Sequence, residues 1–133
     1  MPDPVITNIE LGNVIYKDAC QEDGLLTFGG AGTVVRGTIL AVDSSSLKYI
    51  PYVKGGSTNE NGIPKAVVSY DVTAAGAGDV AIRAIVKGEV RLERLVIDAD
   101  GDDSNIDKDV IDELRDYSII PRSVKELNIL DNQ

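Results

Sequence analysis

From Val80 to Leu92 the even positions are Val80, Ile82, Ala84, Val86, Gly88, Val90 and Leu92. The odd positions are Ala81, Arg83, Ile85, Lys87, Glu89 and Arg91. A period of two, with one apolar and one largely charged face, predicts a half-buried strand. Gly88 inside it marks a bulge or a close backbone approach, so the run reads as one strand or as two joined by a kink. Thr33–Val42 is a second strand-rich run, with Gly37 inside it, and Ser44-Ser45-Ser46 follows as a turn. Leu47–Val53 reads as a returning strand that Pro51 places at an edge or bulge. Gly55–Gly62 is a loop by composition. Ala66–Val72 alternates again, with Ala66, Val68, Tyr70 and Val72 on one side, and Ala74–Gly78 makes a turn of small residues.

The period changes near the end of the chain. Ile106, Val110, Ile111, Leu114 and Tyr117 recur at helical spacing and predict a helix over about 104–117, its apolar stripe docked on the sheet. Ser104 is the expected cap, with Asp107 three residues on completing an acidic capping box. Arg94–Ile97 before it reads as a continuing strand, and Pro121 stops the helix. Ser123 and Glu126 are placed to cap a last short turn through Leu130.

Composition supports this reading. Val and Ile number 29 against 10 Leu, and branching at Cβ favours strands. With no Trp and one Phe, the core has to be built from branched aliphatics. The expected fold is mainly β (α+β) with one or two short helices: a small β-barrel or sandwich-like domain with a flexible N-terminal arm. Its zones are an arm at 1–24, a β-rich domain at 25–120, and a C-terminal extension at 121–133. The arm carries strand-like pieces, Val5-Ile6-Thr7-Asn8-Ile9 and Val14-Ile15-Tyr16, with few local partners. They suit either addition to another chain's sheet edge or an ordinary first strand.

Charge and missing residue types narrow the function. The net charge of −9 disfavours nucleic acid and anionic membrane surfaces as partners. No apolar run is long enough to span a bilayer. Met1-Pro2-Asp3-Pro4 lacks the basic and apolar segments of a signal peptide, so export by that route is not expected. The single cysteine, Cys20, forms no internal disulfide, and the absence of His removes the usual Ser-His-Asp, Cys-His and zinc chemistries. Asp98, Asp100, Asp102 and Asp103 are the weak candidates for a cation site. Counted from Asp98 as an EF-hand, however, the sixth position is Asp103 instead of Gly and the twelfth is Asp109 instead of Glu. A solvated acidic turn is the expectation, with neither metal nor cofactor. Residues 98–116 hold nine acids and two bases, −7 of the −9, which suits an outward, non-adhesive surface. Gly76-Ala77-Gly78-Asp79 lacks the spacing of a phosphate loop. Arg83, Lys87 and Arg91, with Glu89 and Glu93 beside them, read as a mixed-charge exposed face or an inter-subunit polar contact.

Taken in order, the segments resemble the phage head decoration proteins, the lambda D-like capsid-stabilising family. Asp23–Val42 (DGLLTFGGAGTVVRGTILAV) resembles the opening of the family's domain. Lys48-Tyr49-Ile50-Pro51-Tyr52 matches its K-Y-x-P-Y segment, and Val72–Gly76 its V-x-A-x-G segment. Val86-Lys87-Gly88-Glu89-Val90 and Leu95–Asp98 match two later strand segments, and after the helix Ser118-Ile119-Ile120 stands where the family has a short G-I-x finish. The resemblance covers about residues 23–120 and is carried by order and spacing. Pro121–Gln133 runs past the usual family end, and the arm before Gly24 does not match residue by residue.

The resemblance implies a structural protein, not an enzyme. Such proteins are similar in forming homotrimers on the outer surface of the expanded capsid, at its three-fold points. There they cement neighbouring major capsid proteins against internal DNA pressure. The implied location is the virion exterior, after synthesis in the host cytoplasm. The arm, here Pro4, Val5, Ile6, Thr7, Ile9, Val14 and Ile15, would order against the major capsid protein. Arg83, Lys87, Glu89 and Arg91 are the trimer-contact candidates. Two other readings remain. One is another virion or surface β-module, either a tail component or a carbohydrate-binding domain stacking sugars on Tyr49, Tyr52 and Tyr70. The other is a carboxylate enzyme or Ca²⁺-dependent module built on Asp98–Asp103.

Overall fold

A computed structural model describes residues 14–123. The alternation after Ala77 produces one long strand, β7 (Gly78–Arg91), and its partner is β1 (Ile15–Phe28). They pair antiparallel from Ile15↔Val90 to Phe28↔Gly78, and the register slips between Lys17 and Cys20. Between them in sequence lie β2 (Gly32–Val34), β3 (Ile39–Val42), β4 (Tyr49–Pro51), β5 (Ala66–Val68) and β6 (Val72–Ala74). The sheet runs β1-β4-β3-β5-β7, and β7 returns to β1. That closes a small barrel whose weakest seam is the lone parallel pair Leu26↔Tyr49. The last strand, β8 (Ile119–Arg122), lies parallel to β7 beyond β5, and β2 and β6 form a separate two-stranded ribbon.

The β-rich expectation holds, but the strands are shorter than their sequence runs. Thr33–Val42 divides at Gly37, which has φ +89 and whose missing Cβ would collide with the Arg94 carbonyl oxygen. Leu47–Val53 contracts to β4. Ala66–Val72 divides into β5 and β6, leaving Tyr70 41% exposed instead of on the buried face. Arg94–Ile97 does not continue a strand: Leu92–Arg94 is a 3-10 turn, after which Val96 bridges Thr38 and Ile97 bridges Asp102.

Sheet residues adjacent in sequence face different cores. Leu26, Leu40, Ala66, Val68, Ile82 and Ala84 share one apolar cluster, whereas Ile39, Val67 and Ile85 belong to another with Val110 and Leu114 of α1 (Lys108–Asp116). A helix cannot enter a barrel this narrow, so the first cluster is the interior and the second lies under the helix. Strands buried on both faces read as continuous apolar runs, as AVV of β5 does. At Gly88 (φ +123) the even positions of β7 pass from the interior to the helix side, as Val90 shows. A Cβ at Gly88 would stand 2.5 Å from the Asp18 carbonyl oxygen of the bulge in β1.

The helix begins at Lys108, with Asp107 as its cap in place of Ser104: Asp107 Oδ1 accepts from the Val110 N–H at 3.2 Å. Lys54 Nζ lies 2.7 Å from Asp107 Oδ2 and 3.0 Å from the Asn105 carbonyl, tying the 53–64 loop to the helix start. Val110 and Leu114 are buried, Ile106 packs against the core, and Tyr117 stays 38% exposed. Ser118 (φ +71) reverses the chain, and its carbonyl accepts from Gly88 N–H at 3.0 Å, which sets β8 against β7.

Carboxylates also hold the turns. Asp43 accepts from the Ser45 and Ser46 N–H groups, and those bonds lower its pKa. Asp79 is lowered by hydrogen bonds from Lys48 and Thr27, and Asp107 by those from Lys54 and Val110. A lowered folded pKa means stability that is present above the unfolded value and lost as pH falls through the folded one. With no His to titrate, the melting temperature should stay flat between about pH 5 and 8 and fall below about pH 4. Calorimetry across pH 2.5–8 checks this, and an unchanged melting temperature at the acid end would contradict it. Gly88→Ala and Gly37→Ala should each cost about 3 kcal/mol or more. Gly76→Ala, whose Cβ meets nothing within 4 Å, should be neutral or stabilising by up to about 1 kcal/mol in urea unfolding.

Candidate functional site

Both ends of the described chain meet at one rim. Val14 is fully buried, and its carbonyl accepts from Arg91 N–H at 2.8 Å. On the other side of β7, Arg91 pairs with Arg122, Arg122 Nε lies 2.8 Å from Glu89 Oε1, and Ser123 Oγ donates to Glu93 Oε2 at 2.7 Å. The β1–β7 ladder carries the chain from this rim to the Gly78 turn along roughly 40 Å of strand.

This corrects the expected arm. Val14 is core, and Ile15 opens β1 half-buried against the same cluster. Residues 15–24, also assigned to the arm, are most of β1. The partner that recruits them is β7, far along the sequence, so local pattern did not reveal it. Pro4, Val5, Ile6, Thr7 and Ile9 lie outside the described residues. At the other end, β8 continues through Pro121 and Arg122, past the boundary placed at residue 120.

The four contact candidates on β7 separate. Arg83 is exposed, 3.1 Å from Asp23, and Lys87 is exposed. Glu89 is half-buried and holds Arg122. Arg91 is only 8% exposed, because β7 is enclosed by Val14 and β8 after Gly88. It is therefore removed from the exposed contact candidates.

The acidic segment is built as a turn. Asp102 Oδ1 accepts from Ser104 N–H at 3.0 Å, and hydrogen bonding to Ser104 lowers its pKa. Asp100 Oδ2 accepts from Asn105 Nδ2 at 2.9 Å, and Gly101 takes the left-handed conformation at φ +74. Asp98 and Asp103 are exposed beside them. Among the described residues no group of three or more His, Cys, Asp or Glu is placed to hold a metal ion. No helix among them is long and apolar enough to cross a membrane.

The tyrosines do not form a stacking platform. Tyr52 is 1% exposed, its Oη 3.4 Å from Glu113 Oε1, and burial first of all pushes its pKa up to about 12. Tyr49 is half-buried, and Tyr70 Oη accepts from Arg83 N–H at 2.9 Å. One residue that sequence reasoning assigned to a strand stands out: Leu47 sits in a turn, 76% exposed at φ +64. The only sequence signal for it was the serine run before it.

No curated protein matches the chain. A family model described as bacteriophage lambda head decoration protein D matches residues 14–119. That match begins where β1 docks on β7 and ends at the first residue of β8, so it spans the whole barrel with its helix, and the chain belongs to the bacteriophage lambda head decoration protein D family.

Proposed function

We propose that this protein cements a phage head, binding the exterior of the expanded capsid as a homotrimer and stabilising it against the pressure of packaged DNA. Family membership supports capsid binding and a place in the virion, and the family is structural, with no known catalysis. The observation that carries the finer reading is the anchoring of Val14. The residues before it start from a buried position paired to β7, so each protomer presents them from a fixed rim. Residues 2–13, including Pro4, Val5, Ile6, Thr7 and Ile9, form the capsid-binding arm of this proposal, adding strands to the major capsid protein. Ordering them costs roughly 1–2 kcal/mol per residue, so backbone bonds and the avidity of three arms must offset it. Arg83, Lys87 and Glu89 remain proposed polar contacts between protomers. The net charge of −9 suits an outer face that the enclosed DNA does not attract.

Deleting residues 2–12, which spares Val14, should leave the melting temperature within a few degrees of the full chain and abolish cosedimentation with undecorated heads. Retained binding by that truncation would defeat the arm mechanism. Val14→Asp should instead unfold the protein or lower its stability by about 3 kcal/mol or more, because it buries a charge in the helix-side core.

A further inference from the structure

Two features near the β4 end of the barrel have no evident cause within one chain. The first is Leu47, 76% exposed at φ +64, a conformation that penalises any residue with a Cβ. Its turn is held firmly. Asp43 Oδ1 accepts from the N–H groups of Ser45 and Ser46 at 2.8 and 3.1 Å, Leu47 N–H donates to the Asp43 carbonyl at 2.8 Å, and Ser44 N–H to the Asn59 carbonyl at 3.0 Å. Four hydrogen bonds therefore hold the backbone that presents the leucine.

The second feature is a cavity of about 230 Å³ walled by Phe28, Val34 and Pro51, with Gly29, Gly30 and Gly32 along it and exposed Asp98 at its edge. None of these glycines has a positive φ, and a Cβ on any of them would meet nothing within 4 Å. Neither backbone conformation nor packing inside the chain requires glycine there, and each glycine adds to the entropy lost on folding. They leave this stretch of the cavity wall without side chains. Its threonines already have partners: Thr27 Oγ1 donates to Asp79 Oδ1, and Thr33 shares a hydrogen bond with Thr73. The space is below the roughly 300–1,000 Å³ of small-molecule pockets and is large enough to admit an aliphatic side chain against Phe28, Val34 and Pro51. Leu47 does not line the cavity of its own chain, although Pro51 of the adjoining strand does.

We propose that Leu47 of one copy seats in the glycine-lined cavity of the next, and that this head-to-tail contact, repeated three times, closes the trimer. Head-to-tail contacts form rings when the rotation closes, and a displayed leucine with a vacant cavity on the same chain is such a complementary pair. The inference rests on the trimer reading above and names the contact that would make it.

Sedimentation equilibrium of Leu47→Asp should show the trimer dissociation constant raised by about thirtyfold or more, as for a buried interface anchor, with the far-UV circular dichroism unchanged. Leu47→Gly, which relieves the positive φ, should also weaken the trimer while keeping the fold. In a Cys20→Ser background, Leu47→Cys with Gly30→Cys should give covalent dimers and trimers on oxidation, and neither single variant should. Trimers that survive Leu47→Asp unchanged, with no cross-link, overturn the proposal and leave the trimer reading intact. So does a Leu47→Asp trimer that fails only to bind heads, since the leucine would then face the shell. An unaltered chain that is monomeric both in solution and on heads overturns the trimer reading itself, and this inference with it.

Discussion

Strand β7 has to satisfy two cores and three partner strands at once. Ala84 faces the barrel interior while Ile85 faces the helix side, and the strand pairs with β1 on one edge and with β5 and then β8 on the other. That arrangement leaves little tolerance for error: a slip of one residue would exchange the two faces. Gly88 absorbs the conflict. Its positive φ turns the strand as it leaves the barrel, and its missing side chain admits the β1 bulge at Asp18 and Ala19. The helix then hangs from this point, because the Ser118 carbonyl takes the Gly88 N–H.

Closure with so few strands explains the composition. Eight strands give a barrel interior just wide enough for side chains to fill it, so this narrower closure needs small ones, and Ala66 and Ala84 supply them beside Leu26, Leu40, Val68 and Ile82. The larger residues belong to the helix side, where Tyr52, Leu95, Ile97 and Leu114 cover the outer face of β3, β5 and β7. A chain with no Trp and one Phe can afford two cores only because both are thin and share one sheet. Phe28 does not serve the middle of either; it stands at the β2–β6 end of the interior cluster.

The sequence pattern made the strongest elements legible and misjudged their limits. The Val80–Leu92 alternation located β7 and flagged Gly88, because a period of two and an interior glycine are local signals. The helical stripe of Val110 and Leu114 was equally local. Arg91 was misread because its burial depends on Val14 and β8, which arrive from opposite ends of the chain. Val14 and Ile15 were misread for the same reason: a branched pair looks alike in an arm and in a strand whose partner is over seventy residues away. Ser104 lost the cap to Asp107 because Lys54, from a distant loop, steadies Asp107. The family segments were visible as an order of short motifs, but the exposure of Leu47 follows from the closing of a turn by Asp43 and Asn59, which no single segment encodes.

The fixed rim bears on how an arm of modest length would hold a shell. An arm that began in a loose segment would spread its reach and dilute its effective concentration at the capsid. Here the chain leaves the domain at Val14, a buried core residue whose carbonyl is bonded to β7. The residues before it carry just two charges, Asp3 and Glu10, among branched aliphatics such as Val5, Ile6 and Ile9. Attraction through them would rest on backbone hydrogen bonds and apolar contact far more than on ion pairing, and salt would weaken it little. The charge that does exist is concentrated at 98–116, where the carboxylates of Asp100, Asp102 and Asp107 accept hydrogen bonds that shape turns and the helix start. On the proposed reading, backbone pairing and apolar contact would belong to the stretch before Val14, and charge repulsion to residues 98–116.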